Sequence, residues 1–227
     1  MMDEKKALDN ILDRRFSCRS FTNKPVSRKI IEDILSTAQK IPSWCNAQPW
    51  TVTICSGKIL NNLSNKLLEA ADKGKTNSDI PFPVKYEGIY RERRKECGLQ
   101  LYNSVGIEKG DHHKAKLQMH ENFKFFGAPH TAIITSEKLL GEYGMIDCGA
   151  YITAFTLAAA AQNINTIPQA AIASFSSIVR NTLKISENKT IICAISFGYE
   201  YPNHPINRFR TSRSNISETT LWLDDKD

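Results

Sequence analysis

The sequence is short of the signatures by which common sites are read. It contains no GxGxxG, no GxxxxGK[ST] and no GxSxG. Neither a dinucleotide fingerprint, a P-loop nor a hydrolase nucleophile elbow is therefore present. CxxC pairs are missing too: Cys18, Cys45, Cys55, Cys97, Cys148 and Cys193 are scattered singly. Their even number does not make a disulfide framework in a chain this long without a secretory leader, and no spacing supplies a zinc ligand set. Free, mostly structural thiols in a reducing compartment, the cytoplasm, are expected, with no metal.

Long apolar runs are absent as well. Residues 149–161 come nearest, but the run is too short to span a bilayer, is alanine-rich, contains Thr153 and Thr156, and follows Asp147. A buried helix is expected there. The opening MMDEKKALDN has charges with no apolar core after them, unlike a secretory signal. Nothing calls for a membrane.

What remains is ordinary globular composition. Of 227 residues 41% are hydrophobic and 24% charged, enough to build a substantial core. No internal repeat or linker-like stretch divides residues 1–227, so a single domain is expected. The net charge of +6 admits either a nucleic-acid surface or a few arginines gathered around a small anion.

Apolar periodicity predicts helices over residues 5–12, 28–40, 58–71, 90–104, 111–126, 147–162 and 174–183, with Ser27 and Ser174 as N-caps. Strands are predicted over 50–55, 130–135, 163–167 and 190–199. Residues 72–89, with Pro81 and Pro83, read as an irregular excursion. Helical mass around about four strands is the pattern of a three-layer α+β domain.

Three stretches carry candidate chemistry. Residues 42–50, PSWCNAQPW, form a stiff loop between a helix and a strand, presenting amides and aromatic faces. Such loops bind as often as they connect. In Arg15-Phe16-Ser17-Cys18-Arg19, an extended backbone would turn residues 15, 17 and 19 to one side. Two guanidiniums and a hydroxyl are the donors a phosphate takes. The segment Arg208-Phe209-Arg210-Thr211-Ser212-Arg213 repeats the theme near the other end. Two confined clusters favour a small phosphorylated ligand over nucleic acid, which more often meets a continuous basic stripe. His112, His113 and His120 read as surface helix histidines, and Arg91, Arg93, Arg94 and Lys95, interleaved with Glu92 and Glu96, as a solvated helix face.

Taken in order, these motifs resemble those of the FMN-dependent nitroreductase family. Its R-x-S-x-R-x-F is met by Arg15, Ser17, Arg19 and Phe21, and its P-S-x-x-N-x-Q-P-W by Pro42, Ser43, Asn46, Gln48, Pro49 and Trp50. Phe125 to Pro129, Asp147 with Gly149, Pro168-Gln169-Ala170, Gly198-Tyr199, and Asn207 to Arg210 with Arg213 are similar too. The resemblance implies a three-layer fold, with a mostly antiparallel sheet of four or five strands, in an interlocked homodimer. It also implies two interfacial FMN sites and ping-pong chemistry, in which NAD(P)H delivers hydride to FMN and an acceptor such as a nitroaromatic or quinone then takes the electrons.

By the same resemblance Arg15, Phe16, Ser17, Arg19, Arg210 and Arg213 would hold phosphate and ribityl. Pro42, Ser43, Trp44 and Asn46 would reach the flavin from the partner subunit. Backbone at Pro168, Gln169, Ala170 and Ala171 would line one face, an amide near Ala170 donating to flavin N5. No catalytic side chain is implied, because the flavin carries the chemistry. Tyr90, Arg94 and Tyr102 are substrate-side candidates. Two alternatives stay open: another reaction on the same fold (dehalogenation, desaturation or flavin breakdown), or a basic anion- or nucleic-acid-binding module.

Overall fold

The computed structural model describes residues 3–223. In chain order it comprises α1 (Glu4–Arg14), α2 (Arg28–Ala38), β1 (Thr51–Ser56), α3 (Gly57–Lys73), α4 (Gly88–Ser104) and α5 (His112–His120). There follow β2 (His130–Glu137), α6 (Gly141–Ala161), β3 (Asn165–Gln169), α7 (Ala170–Ala173), α8 (Ser176–Leu183) and β4 (Lys189–Gly198). The strands make one sheet in the order β1-β2-β4-β3, antiparallel at every pairing.

Both sheet faces are covered, giving the three layers expected. Side chains alternate across a strand, so Ala132 and Ile134 of β2 join α2 and α6 in one core, while Ile133 between them joins α3 and α8 in the other. In β4 the alternation slips. Ile134 pairs with Cys193 but Thr135 with Ile191, leaving Ile192 as an extra residue. That bulge is why Ile191 faces the α3–α8 core although Cys193, two residues on, faces the other.

Several boundaries depart from expectation. α6 begins at Gly141, a turn and a half before Asp147. Gly141 and Gly144 lie in that added stretch, and Gly144 is there for close approach: a Cβ on it would meet Ser136 Oγ and Leu140 Cβ at 2.9 Å. α6 is not buried all round either. With the turn before it (Lys138–Ala161) it is long and apolar enough to cross a membrane, but one face covers the sheet. The flank carrying Ile146, Gly149, Ala150 and Thr153 is exposed.

Ser174 does not cap α8. That position belongs to Phe175, and the Ser174 carbonyl instead takes the Asn77 N–H at 2.8 Å. Residues 111–126 are not one helix: α5 stops at His120, and Phe125 and Phe126 turn left-handed at φ 54° and 53°. His120 is buried, not on the surface, with Nε2 4.0 Å from Asp72. The 72–89 excursion is tied down at its middle. Asp79 lies 2.7 Å from the buried Arg180 guanidinium and accepts the Ile191 N–H at 2.9 Å.

Candidate functional site

From Arg15 to Thr22 the chain runs extended along the end of the sheet. Cys18 N–H donates to Thr166 O at 3.0 Å, Phe21 N–H to Phe126 O at 3.2 Å and Thr22 N–H to Tyr199 O at 2.8 Å. Cys18 and Phe21 point inward, packing with Phe126, Ala128 and Ile167. Burial pushes the Cys18 thiol up to about 12, so it stays protonated and acts as a small apolar group. With Cys18 turned in, Arg15, Ser17 and Arg19 are left facing out, as the alternation predicts.

Facing out, they meet the tail. Arg15, Phe16, Ser17 and Arg19 share a pocket of about 380 Å³ with Phe209, Arg210, Thr211 and Arg213. The clasp is Asn207, buried at the base: its Oδ1 accepts the Arg19 N–H at 2.8 Å and its Nδ2 donates to Ser20 O at 2.9 Å. The Arg210 guanidinium stacks on Phe16 and that of Arg19 lies 5.3 Å from the Phe209 ring centre. Arg19 Nη1 also donates to Ser17 O at 3.1 Å.

These cations are crowded together. Arg15 is held below the ordinary arginine value, by burial first and then by Arg213 and Arg210. Among the described residues none of Arg15, Arg19, Arg210 and Arg213 meets a carboxylate within ion-pair distance. One carboxylate, Asp13, lines the same pocket without pairing with any of the four. Four guanidiniums without an ion-pair partner beside two hydroxyls suit a phosphate, which relieves their mutual repulsion and accepts several charged hydrogen bonds.

Arg19 also borders a second pocket of about 270 Å³, with Tyr102, Gln118, Met119, Asn122, Phe126 and Pro168 to Ala171. Pro168 and Gln169 end β3, and Ala170 and Ala171 begin the single turn of α7. The Gln169 side chain is buried and tied up in hydrogen bonds. Its Nε2 donates to Asn122 O at 2.9 Å and its Oε1 accepts from Ser196 Oγ. What the segment offers a ligand is therefore main chain.

The loop 42–50 lines neither pocket. Pro42, Trp44 and Asn46 are exposed, and Ser43 Oγ accepts the Gln48 N–H at 2.9 Å. Trp50 anchors it, stacked on Tyr151 with ring centres 5.0 Å apart and its Nε1–H on Gln39 Oε1 at 2.9 Å. Of the substrate-side candidates, Tyr102 lies in the second pocket. Tyr90 and Arg94 lie on the outer face of α4, where Arg94 stacks on Tyr86.

Known proteins share this fold. The profile of the Nitroreductase family matches residues 12–199. The chain belongs to that family. Within it, a 4-nitrobenzoate reductase of Nocardioides sp. (strain LMS-CY) is 34% identical, covering 97% of this chain and 92% of that protein. The crystal structure of the FMN-dependent nitroreductase NfnB from Mycobacterium smegmatis in complex with NADPH superposes with a TM-score of 0.93 at 29% identity, covering 98% of this chain and 100% of that one. An FMN and NADPH-dependent NfnB from a Sphigopyxis strain gives 0.93 at 25% identity, covering 96% and 99%.

Some pocket residues escaped the sequence reading. Phe209 and Thr211 stand inside the tail cluster already flagged and Asn207 just before it, but no spacing rule marks Asn207 as the clasp. Gln118, Met119 and Asn122 come from α5 and the turn after it, where polar residues on a surface-like helix carry no signal.

Proposed function

We propose that this chain is an FMN-dependent reductase of nitroaromatic compounds, driven by NADPH and working as a homodimer in the cytoplasm. The observation that carries the reading is the arginine cluster, assembled from both ends of a Nitroreductase-family chain beside a main-chain pocket. The activities named for its relatives support the acceptor class and the choice of NADPH.

The residues present fit FMN. Arg15, Ser17, Arg19, Arg210 and Arg213 would hold phosphate and ribityl, with Phe16 and Phe209 stiffening the guanidiniums. The backbone from Pro168 to Ala171 would meet one face of the ring, with the amide near Ala170 toward N5. The chemistry that FMN supplies when bound is acceptance of hydride from NADPH and onward reduction of a nitro group. This chain's residues bind the cofactor, fix its orientation and, through the cations, favour negative charge in the site.

The homodimer is supported by two surfaces. α6 leaves Ile146, Gly149, Ala150 and Thr153 uncovered, and α1, which packs on α6, exposes Leu8 and Leu12; together they offer surface suited to a second copy. The loop 42–50 stands apart from its own chain's arginine pocket, so Pro42, Ser43, Trp44 and Asn46 would serve the partner's flavin. Six free cysteines suit a reducing compartment.

The test is the visible spectrum of purified protein with its extracted cofactor, followed by NADPH oxidation with a nitroaromatic. Yellow protein with bound FMN, turning over faster than free FMN, is expected. Colourless protein that takes up no FMN overturns the reading. Normal FMN binding without nitroaromatic turnover would move the chain to another reaction on this fold.

A further inference from the structure

The loop 42–50 holds three non-glycine residues in the left-handed region: Cys45 at φ 49°, Asn46 at 54° and Gln48 at 46°. Asn tolerates that region, but Cys45 and Gln48 are strained in it, and such strain persists only where surrounding contacts over-determine it. Pro49 and Trp50 are buried, but residues 44–48, which hold all three, gain little by burial in their own protomer. Trp44 is 67% exposed, and Cys45, Asn46, Ala47 and Gln48 are exposed as well. The strained shape is thus poorly explained by packing within one chain.

Most of the contacts that maintain it are local. Ser43 Oγ takes the Gln48 N–H, Gln48 Nε2 donates to Asn46 Oδ1 at 3.1 Å, and Gln39 Nε2 donates to Gln48 Oε1 at 3.1 Å. The Gln39 contact comes from the end of α2, and two more, both on Trp44, come from α6. The Trp44 N–H donates to Asp147 Oδ2 at 3.0 Å, and the Tyr143 ring lies 5.8 Å from the indole, centre to centre. Tyr143 and Asp147 are four residues apart, so they share a helix face and grip one residue from ring and backbone together. Among the described residues Asp147 has no cation within ion-pair distance. Among the described residues, its side chain's hydrogen bond is to this amide.

We infer that Asp147 is a positioning residue for the flavin site of the partner subunit. It holds the Trp44 amide, and with it the left-handed turn, so that Pro42, Ser43, Trp44 and Asn46 stand out from their own chain in the shape the other chain's arginine pocket needs. The inference rests on the FMN-binding homodimer proposed above. It adds to that reading a residue that touches no cofactor and acts only across the interface.

The test uses FMN itself, titrated by flavin fluorescence into wild-type protein, Asp147→Ala, Asp147→Asn and Arg15→Ala. Loss of a charged hydrogen bond should weaken FMN binding by Asp147→Ala roughly 10- to 100-fold, with the dimer still present by sedimentation. Asp147→Asn keeps an acceptor for the Trp44 amide and should bind within about threefold of wild type, under 0.7 kcal/mol.

The discriminating readout is a mixed dimer, co-expressed with two tags, of one Asp147→Ala chain and one Arg15→Ala chain. It contains one site with an intact pocket and an intact partner loop, and one site with neither. One FMN bound per dimer at wild-type affinity, although each parent homodimer binds weakly, is the expected result. A general folding defect in either chain would restore no site. If Asp147→Ala fails to fold, Tyr143→Ala, at an exposed position, takes its place in the same mixed dimer.

Wild-type affinity in the Asp147→Ala homodimer overturns the inference. So does a mixed dimer with no recovered site. Wild-type protein that takes up no FMN overturns the flavin reading itself, which separates the two failures.

Discussion

The guanidinium of Arg210 lies 3.8 Å from the centre of the Phe16 ring. One belongs to the first extended segment and the other to the tail beyond the last strand, and their contact closes the arginine pocket. A cation stacked on an aromatic face is both attracted and oriented. The guanidinium is therefore held in place before any anion arrives, which lowers the ordering cost of binding one.

Among the described residues Arg19 is the one cation that borders both pockets. Arg19→Ala should weaken FMN binding by about 1.5–3 kcal/mol, the worth of a hydrogen bond to a charged group. Arg19→Lys should fall between the two, because a lysine keeps the charge but loses the planar fork and the stacking on Phe209. Flavin fluorescence titration of the three proteins measures this, and unchanged affinity in Arg19→Ala would place the residue outside contact with the cofactor.

Asp79 and Arg180 form an ion pair that is nearly closed to water, with side chains 17% and 6% exposed. Asp79→Ala leaves the buried guanidinium with Glu187, at 3.2 Å, and the carbonyls of Ser186 and Lys189. It strands the Ile191 N–H and frees the 72–89 excursion, so a loss of about 1–3 kcal/mol in unfolding free energy is expected. Asp9→Ala, which breaks an exposed pair with Lys5, should change stability by less than about 0.5 kcal/mol. Urea denaturation of the apoprotein separates the two, and equal small effects would mean that the excursion is not held by Asp79.

His130 accepts the Val26 N–H at Nε2, 2.9 Å away, while its Nδ1 meets Ser56 Oγ. Protonating Nε2 would set a donor against a donor, and burial lowers the ring's pKa from the usual value near 6.5. The unfolded chain therefore binds this proton more readily. The contribution is fully present above about pH 6.5 and is lost as pH falls through the lower folded-state value. Thermal midpoints should fall between pH 7 and 5, and His130→Gln should flatten that slope whatever it does to absolute stability.

Gln169 joins β4 to the turn after α5 through Ser196 and Asn122. Gln169→Ala leaves a buried hydroxyl and a carbonyl without their partner and should destabilise by roughly 1–3 kcal/mol per stranded group. In a double-mutant cycle with Ser196→Ala, chemical denaturation should give a coupling of about 0.5–3 kcal/mol. Additive effects would mean that the two side chains do not act together.

Much of the fold was legible because its signals are local. Ile30, Ile31, Ile34, Leu35 and Ala38 announce α2, and Ser27 caps it by accepting the Ile30 N–H, as expected. The start of α6 was hidden because Gly144, which propensity counts against a helix, is kept for a close approach to Ser136 and Leu140 that no local pattern encodes. Ser174 failed as a cap for a similar reason. The chain takes an extra turn, α7, before α8, and that turn packs against β4, a contact distant in sequence.

The sequence by itself determined which donors are available: arginines alternating with hydroxyls at both ends, two aromatics beside them, and a stiff amide-bearing loop between a helix and a strand. Period-two alternation in the first segment, with Cys18 turned inward, decided which side of the backbone those donors take. Only the tertiary structure decided that the two arginine clusters are one site. Their approach depends on β3 and β4 pairing edge to edge and on Asn207 bridging to Arg19 and Ser20, long-range contacts with no local signature. Tertiary structure also turned the Gln169 side chain inward, where a buried amide must find partners, and left main chain for the ligand. It gave Trp44 its grip on Asp147, since a helix face meets a loop only after both have packed on the same sheet.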